Sequence, residues 1–103
     1  MPYEIELDRT VQTQLTEMPP VLRNAVIDRL LDLRDEADIM CRPSFFPYPP
    51  GYLLDEFLVK DNADRIFPRW KVTILLEKSQ GGKLLIYKIP WHVFPSHSED
   101  ALE

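Results

Sequence analysis

Trp70, Val72, Ile74 and Leu76 alternate with Lys71, Thr73 and Glu77. Only a β-strand with one buried face satisfies a period of two of this kind. Ser79-Gln80-Gly81-Gly82 follows, with two residues that tolerate positive φ, and Leu84 to Ile89 returns as a partner strand until Pro90 ends regular pairing. A chain committed to this hairpin must build a sheet and cover one of its faces with something apolar.

The cover is upstream. Tyr3, Ile5 and Leu7 alternate with Glu4 and Glu6 as a short opening strand, and Asp8 stands where an N-cap belongs. Val11, Leu15 and Met18 then mark one face of a short helix, which Pro19-Pro20 stops while opening the next. Helix two is expected over about 21–38, with Leu22, Val26, Leu30 and Leu33 inward, a stripe broadened by Ile27 and Leu31. Its charged side, with Arg23, Asp28, Asp32, Arg34, Asp35 and Glu36, reads as a solvated face.

Between helices and hairpin, CRPSFFPYPPG (41–51) excludes helix and central strand, so an ordered loop is expected. Phe45, Phe46 and Tyr48 are expected to roof the core, although exposed rings on such a loop could also stack on unpaired bases. Tyr52 to Val59 reads as a strand with Asp55 and Glu56 in its middle, and 60–68 as a polar turn region.

The order strand, helix, helix, three strands predicts an α+β two-layer domain over 1–95, an antiparallel sheet (β-α-α-β-β-β) packed on a helical hairpin. Its 103 residues suit one such domain. Residues 96–103 read as a polar tail, disordered or in part a cloning remnant at Leu102-Glu103. The single cysteine, Cys41, rules out an internal disulfide and points to a reducing cytoplasmic setting. No apolar run approaches the roughly 20 residues of a spanning helix, and the acidic start lacks a secretory pattern.

A net charge of −5 argues on average against a nucleic-acid partner. The average hides an asymmetry: between Lys60 and His92 seven basic residues stand against three acidic ones. If Trp70, Val72, Ile74 and Leu76 face the helices, Arg69, Lys71 and Thr73 face away. Burying Leu85, Tyr87 and Ile89 sends Lys88 outward too, and His92 shares its parity. Three cations and an imidazole on one open face suit a phosphodiester, because fixed positive charge stabilises a phosphorane and histidine exchanges protons near neutral pH. They equally suit ordinary outward sheet residues. Asp55 or Glu56 could supply a general base, but neighbours on a strand point to opposite faces, so at most one can join.

Cys41, His92 and His97 lack ligand-pair spacing, and Asp61-Asn62-Ala63-Asp64 lacks the glycine and terminal glutamate of a calcium loop, so no metal or cofactor is expected. The absence of a glycine-rich phosphate loop and of G-x-S-x-G removes nucleotide hydrolysis and serine hydrolase chemistry.

Tyr3-Glu4-Ile5-Glu6-Leu7, the helical hairpin ending near Asp38, Gly51-Tyr52-Leu53-Leu54, Arg69-Trp70-Lys71-Val72 and Leu84-Leu85-Ile86 together resemble the RelE/ParE toxin superfamily over residues 3 to about 93. Members similar to RelE and YoeB are toxins of type II toxin–antitoxin systems. They are ribosome-dependent mRNA endonucleases that use no metal, activating a 2′-hydroxyl against its own phosphate, and a partner antitoxin neutralises each. The resemblance implies that activity here: Arg69 as the arginine that stabilises the transition state, His92 as the late histidine of the YoeB type and general acid, and Glu56 as base, with Lys60, Lys71 and Lys88 against RNA. It implies a cognate antitoxin and mRNA on the ribosome as partners, with a homodimer as a further option and no membrane. The chain departs from the pattern at Val93 and Phe94, where an aromatic hydroxyl is expected, at Pro90, where a second arginine is often found, and at Asp55 and Glu56, where RelE-like members carry lysines. The alternative reading is a catalytically weak or inactive RelE-fold protein that binds another protein.

Overall fold

The computed structural model describes residues 2–62 and 66–94, in the order β1 (Glu4–Leu7), α1 (Arg9–Glu17), α2 (Pro20–Met40), β2 (Arg42–Pro43), β3 (Leu53–Val59), β4 (Trp70–Lys78), β5 (Lys83–Lys88) and β6 (Trp91–Val93). The expected polar tail lies outside the described residues, as do Ala63 and Asp64 of the acidic turn. The architecture is α+β: two helices on one face of a six-stranded sheet ordered β1-β5-β4-β3-β2, with β6 also on β4.

The sheet is mixed, which corrects the antiparallel expectation. β3, β4 and β5 form the antiparallel meander, but β1 joins β5 in parallel. The helical pair carries the chain from β1 across one face before β3 begins. The strand slot left for β1, beside β5, therefore runs in its own direction. Two short strands also go beyond the expected count: β2 extends the sheet beyond β3, and β6 resumes pairing with β4 after Pro90.

Local signals place the helices. The Asp8 carboxylate accepts from the Thr10 N–H at 3.0 Å, capping α1, and Pro20 opens α2 where no N–H partner is lost. α2 leaves helical geometry at Glu36 (φ −127°, ψ 19°). Two residues earlier, the Arg34 carbonyl accepts from the Tyr3 N–H at 2.7 Å, an insertion of the kind that bends helices. The Tyr3 hydroxyl donates to Asp38 past the bend at 2.8 Å, and Lys78 pairs with the same carboxylate. The kink thereby ties α2 to the opening strand.

The core lies between the layers: Val11, Met18, Leu22, Val26, Leu30, Leu33 and Ala37 from the helices meet Val59, Trp70, Val72, Ile74, Leu76, Leu84, Ile86 and Ile89 from the sheet. Ile27 and Leu31, expected to broaden that stripe, are 42% and 51% exposed. α2 presents a narrow face to the sheet, and these two side chains fall on its flank. Substituting serine at both is accordingly expected to cost about 1 kcal/mol or less, whereas Leu22→Ala costs roughly 2–5 kcal/mol. Urea midpoints of the two variants check the contrast, and equal losses would return Ile27 and Leu31 to the core. Phe45, Phe46 and Tyr48 are also absent from the core, and Phe46 is 91% exposed. Their loop follows β2, the edge strand of the sheet.

Candidate functional site

The candidate site is the sheet face turned away from the helices, and strand register determines what stands on it. Trp70, Val72, Ile74 and Leu76 point into the core as expected, so Arg69, Lys71, Thr73 and Leu75 alternate onto the open face. On β5 the inward pair is Leu84 and Ile86, correcting the expected Leu85 and Tyr87. The cause is a bulge: Leu76 pairs with Ile86 but Leu75 pairs with Lys88, leaving Tyr87 as an extra residue. Past the bulge the parity switches, so Lys88 still faces outward and Ile89 inward, as expected.

β6 keeps that register across Pro90, with Val72 opposite Trp91, Lys71 opposite His92 and Trp70 opposite Val93. Three hydrogen bonds hold the junction. The Gln14 side chain accepts from the Ile89 N–H at 2.9 Å and donates to its carbonyl at 3.3 Å, and the Thr73 N–H donates to the Pro90 carbonyl at 2.9 Å. α1 thus anchors the strand that carries His92. Partners in an antiparallel ladder share a face, so Leu58, Lys71 and His92 form one row across β3, β4 and β6. Glu56 and Thr73 form the next row. Beyond the first row, Arg69 exchanges backbone bonds with Val59 and Phe94 (2.8 and 2.9 Å), and Lys60 continues the alternation of β3 beside it. Arg69, Lys60, Lys88 and His92 are exposed.

Asp55 and Glu56 separate as alternation requires. Glu56 joins the open face and pairs with Lys71 at 3.3 Å. Asp55 turns inward, 1% exposed, and both its oxygens are bound at 2.7 Å by Nε and Nη2 of Arg29. The hydrogen bond to Asp55 holds the Arg29 guanidinium above its ordinary pKa, and the group also lies 4.9 Å over the Phe57 ring. This pair is a structural clamp between α2 and β3 and takes no part in the open face. Sequence reasoning assigned Arg29 nothing, because a lone arginine in a charged helix carries no signal of a carboxylate 26 residues away. Burial pushes the neighbouring Cys41 thiol up to about 11, which keeps it protonated and unreactive at neutral pH.

The open face therefore gathers Glu56, Lys71 and His92 in adjoining rows, with Arg69 one alternation further along β4. Glu56 and His92 flank β4 from opposite sides, two strand spacings and one alternation, or roughly 12 Å, apart. That arrangement can accept a proton on one side of a phosphate and donate one on the other, with cations between. Val93 faces the other way and the Phe94 N–H donates to the Arg69 carbonyl; both side chains are hydrocarbon, so neither position supplies a hydroxyl.

On the helix side, a groove of about 640 Å3 runs beside the outer edge of β1, lined chiefly by Tyr3, Ile5, Leu15, Ile27, Leu31 and Arg34. Its walls are apolar, and the unpaired edge of β1 is open along it. Among the described residues no helix is long and apolar enough to cross a membrane.

Comparison with known families and with curated proteins finds no match to this sequence. Comparison with solved structures does. A chain of the toxin–antitoxin complex RelBE2 from Mycobacterium tuberculosis superposes with a TM-score of 0.66 at 17% identity, over 89% of this chain and 100% of that one. The fold is RelE-like. At this identity the likeness covers architecture alone. A RelE-like fold therefore stands here without detectable sequence kinship, and the chemistry must be argued from the side chains.

Proposed function

We propose that this RelE-fold chain is the toxin of a toxin–antitoxin pair and cleaves mRNA on the ribosome. The observation that carries the reading is the convergence of Glu56, Lys71 and His92 on one open sheet face, with Arg69 beside them, in a fold shared with a toxin–antitoxin complex. Glu56 takes the proton of a 2′-hydroxyl, whose oxygen attacks the adjacent phosphorus. Arg69 meets the charge that develops on the non-bridging oxygens. His92, in the role of general acid, gives a proton to the departing 5′-oxygen. The products are a 2′,3′-cyclic phosphate and a 5′-hydroxyl, and atoms and charge balance without a cofactor. Lys60, Lys71 and Lys88 supply phosphate contacts outside the reacting bond.

Inducing the chain in a bacterium tests this directly. Growth arrest and mRNA breaks bearing 5′-hydroxyl ends within translated frames are expected, and His92→Ala lowers the cleavage rate roughly 10²- to 10⁴-fold. Unimpaired growth with intact mRNA defeats the proposal.

A second reading has its own observation. The Glu56–Lys71 pair neutralises part of the basic face, and the apolar groove beside β1 offers a seat for protein. A RelE-fold binding module, held by an antitoxin or a second copy at that groove, would leave mRNA intact on induction. In the toxin reading the same groove is where the antitoxin docks.

A further inference from the structure

The register that assembles the candidate site also builds a second cationic row, of which the toxin reading uses Lys88 alone, as a phosphate contact. Arg42 of β2 pairs with Leu54, Leu54 with Leu75, and Leu75 with Lys88. The four residues form one row on the open face, two alternations along β4 from Lys71, roughly 13 Å away. Arg42 and Lys88 are exposed at its two ends, and no carboxylate pairs with either among the described residues. Between them Leu54 and Leu75 are 0% and 6% exposed, yet Leu54 and Leu75 lie outside the helix-side core. This end of the open face therefore has a small apolar cover of its own, where Tyr52 packs edge-to-face on Tyr87 at 5.2 Å.

Immediately after Arg42 and Pro43 comes the aromatic loop. It is braced internally: the Ser44 N–H donates to the Tyr52 carbonyl at 2.9 Å, the Ser44 hydroxyl to the Pro49 carbonyl at 2.5 Å, and the Tyr48 N–H to the Phe45 carbonyl at 2.9 Å. This bracing holds Phe46 91% exposed and Phe45 45% exposed. A fixed ring left in water contributes nothing to the fold, while a stacking ligand finds its ordering cost already met. Two carboxylates flank this row on the same face, one alternation away on either side, and both are engaged: Glu56 by Lys71, and Glu77 by the Tyr87 hydroxyl, which donates to it at 3.5 Å.

We propose that Arg42, Lys88 and Phe46 form a secondary subsite for unpaired RNA: a strand leaving the Lys71–His92 row follows the open face to Arg42 and Lys88, which hold its phosphates, and stacks a base on Phe46. The inference rests on the toxin reading for its substrate and extends it to a stretch of RNA several nucleotides from the scissile bond. Backbone contacts of this kind recognise any sequence, and stacking adds affinity with little base preference.

The test measures binding of the full chain to a dinucleotide and to an oligoribonucleotide of about eight nucleotides, the longer one carrying 2-aminopurine at each position in turn. The octamer should bind more tightly, with fluorescence quenched at one terminal region. Phe46→Ala should remove that quenching and weaken the octamer roughly 5- to 150-fold without touching the dinucleotide. Arg42→Ala should lower the salt slope of octamer binding by about one. Unchanged urea midpoints for both variants show that the effects are local. If the octamer binds through Arg69, Lys71 and His92 but ignores both substitutions, the subsite is refuted and the toxin reading stands. If the unmutated chain binds neither oligonucleotide while a protein partner protects Phe46 from hydrogen exchange, the loop is a protein contact and both RNA proposals fall.

Discussion

Arg29→Met is expected to lower stability by roughly 3–5 kcal/mol, the cost of stranding one member of a buried ion pair. Asp55 is 1% exposed and receives two hydrogen bonds at 2.7 Å from the same guanidinium, so the substitution leaves both carboxylate oxygens without those donors in a dry site. For a domain of this size the loss corresponds to a fall in Tm of well over 10 °C, at roughly 4–8 °C per kcal/mol. The penalty belongs to the abandoned carboxylate, so Arg29→Met combined with Asp55→Leu should recover most of it, as apolar replacement of a whole buried pair often does. The pair itself is insensitive to ordinary pH. The hydrogen bond to Asp55 raises the folded-state pKa of Arg29 further above its already strongly basic ordinary value, so the stability it contributes is fully present across the neutral range and is lost only in strong base, as pH climbs through the raised folded value. Thermal unfolding of the single and double variants decides the matter: a single variant within 1 kcal/mol of the unmutated chain would show that the clamp is dispensable.

Arg69→Ala is expected to slow mRNA cleavage roughly 10²- to 10³-fold, the range seen when one donor to a developing oxyanion is removed. Its side chain is exposed at the head of β4, so stability should change by less than about 0.5 kcal/mol. The two readouts separate a chemical role from a structural one. Cleavage by translating ribosomes supplied with purified variant protein gives the rate, and a urea midpoint gives the stability. Full activity in Arg69→Ala would remove the residue from the mechanism. Loss of activity together with loss of stability would recast Arg69 as a fold residue held by its backbone bonds to Val59 and Phe94.

Both predictions depend on side-chain facing, and the legibility of facing differed between elements. β4 was readable because its even positions from Trp70 to Leu76 are strongly apolar while Lys71, Thr73 and Glu77 are not, so the even parity is the one that buries the strand against the helices. β5 was not readable. Leu84, Leu85, Ile86 and Tyr87 are apolar without interruption, either parity is acceptable locally, and the bulge at Tyr87 uses one parity before it and the other after. Lys88 was placed on the correct face from a wrong account of the residues before it. His92 likewise shares the face of Lys88, and it does so because β6 resumes the register of β5 after Pro90, with Gln14 of α1 holding the junction. Ile27 and Leu31 show the converse error. Helical periodicity marks the apolar side of α2, but only the sheet beneath it sets how wide a stripe can be buried.

The amino-acid sequence by itself determined the two helices, the hairpin of β4 and β5, the α+β class, and the outward facing of Lys71 and Lys88 on the hairpin strands. Each of these follows from periodicity and from proline and glycine, which act within a few residues. Tertiary structure alone decided that β1 lies parallel to β5, that Asp55 is clamped by Arg29 while Glu56 stands free to meet Lys71, and that Arg42 shares a row with Lys88. Those are pairings between segments far apart in the chain. Their energies arise only when strands align and side chains are removed from water together, so no local pattern encodes them.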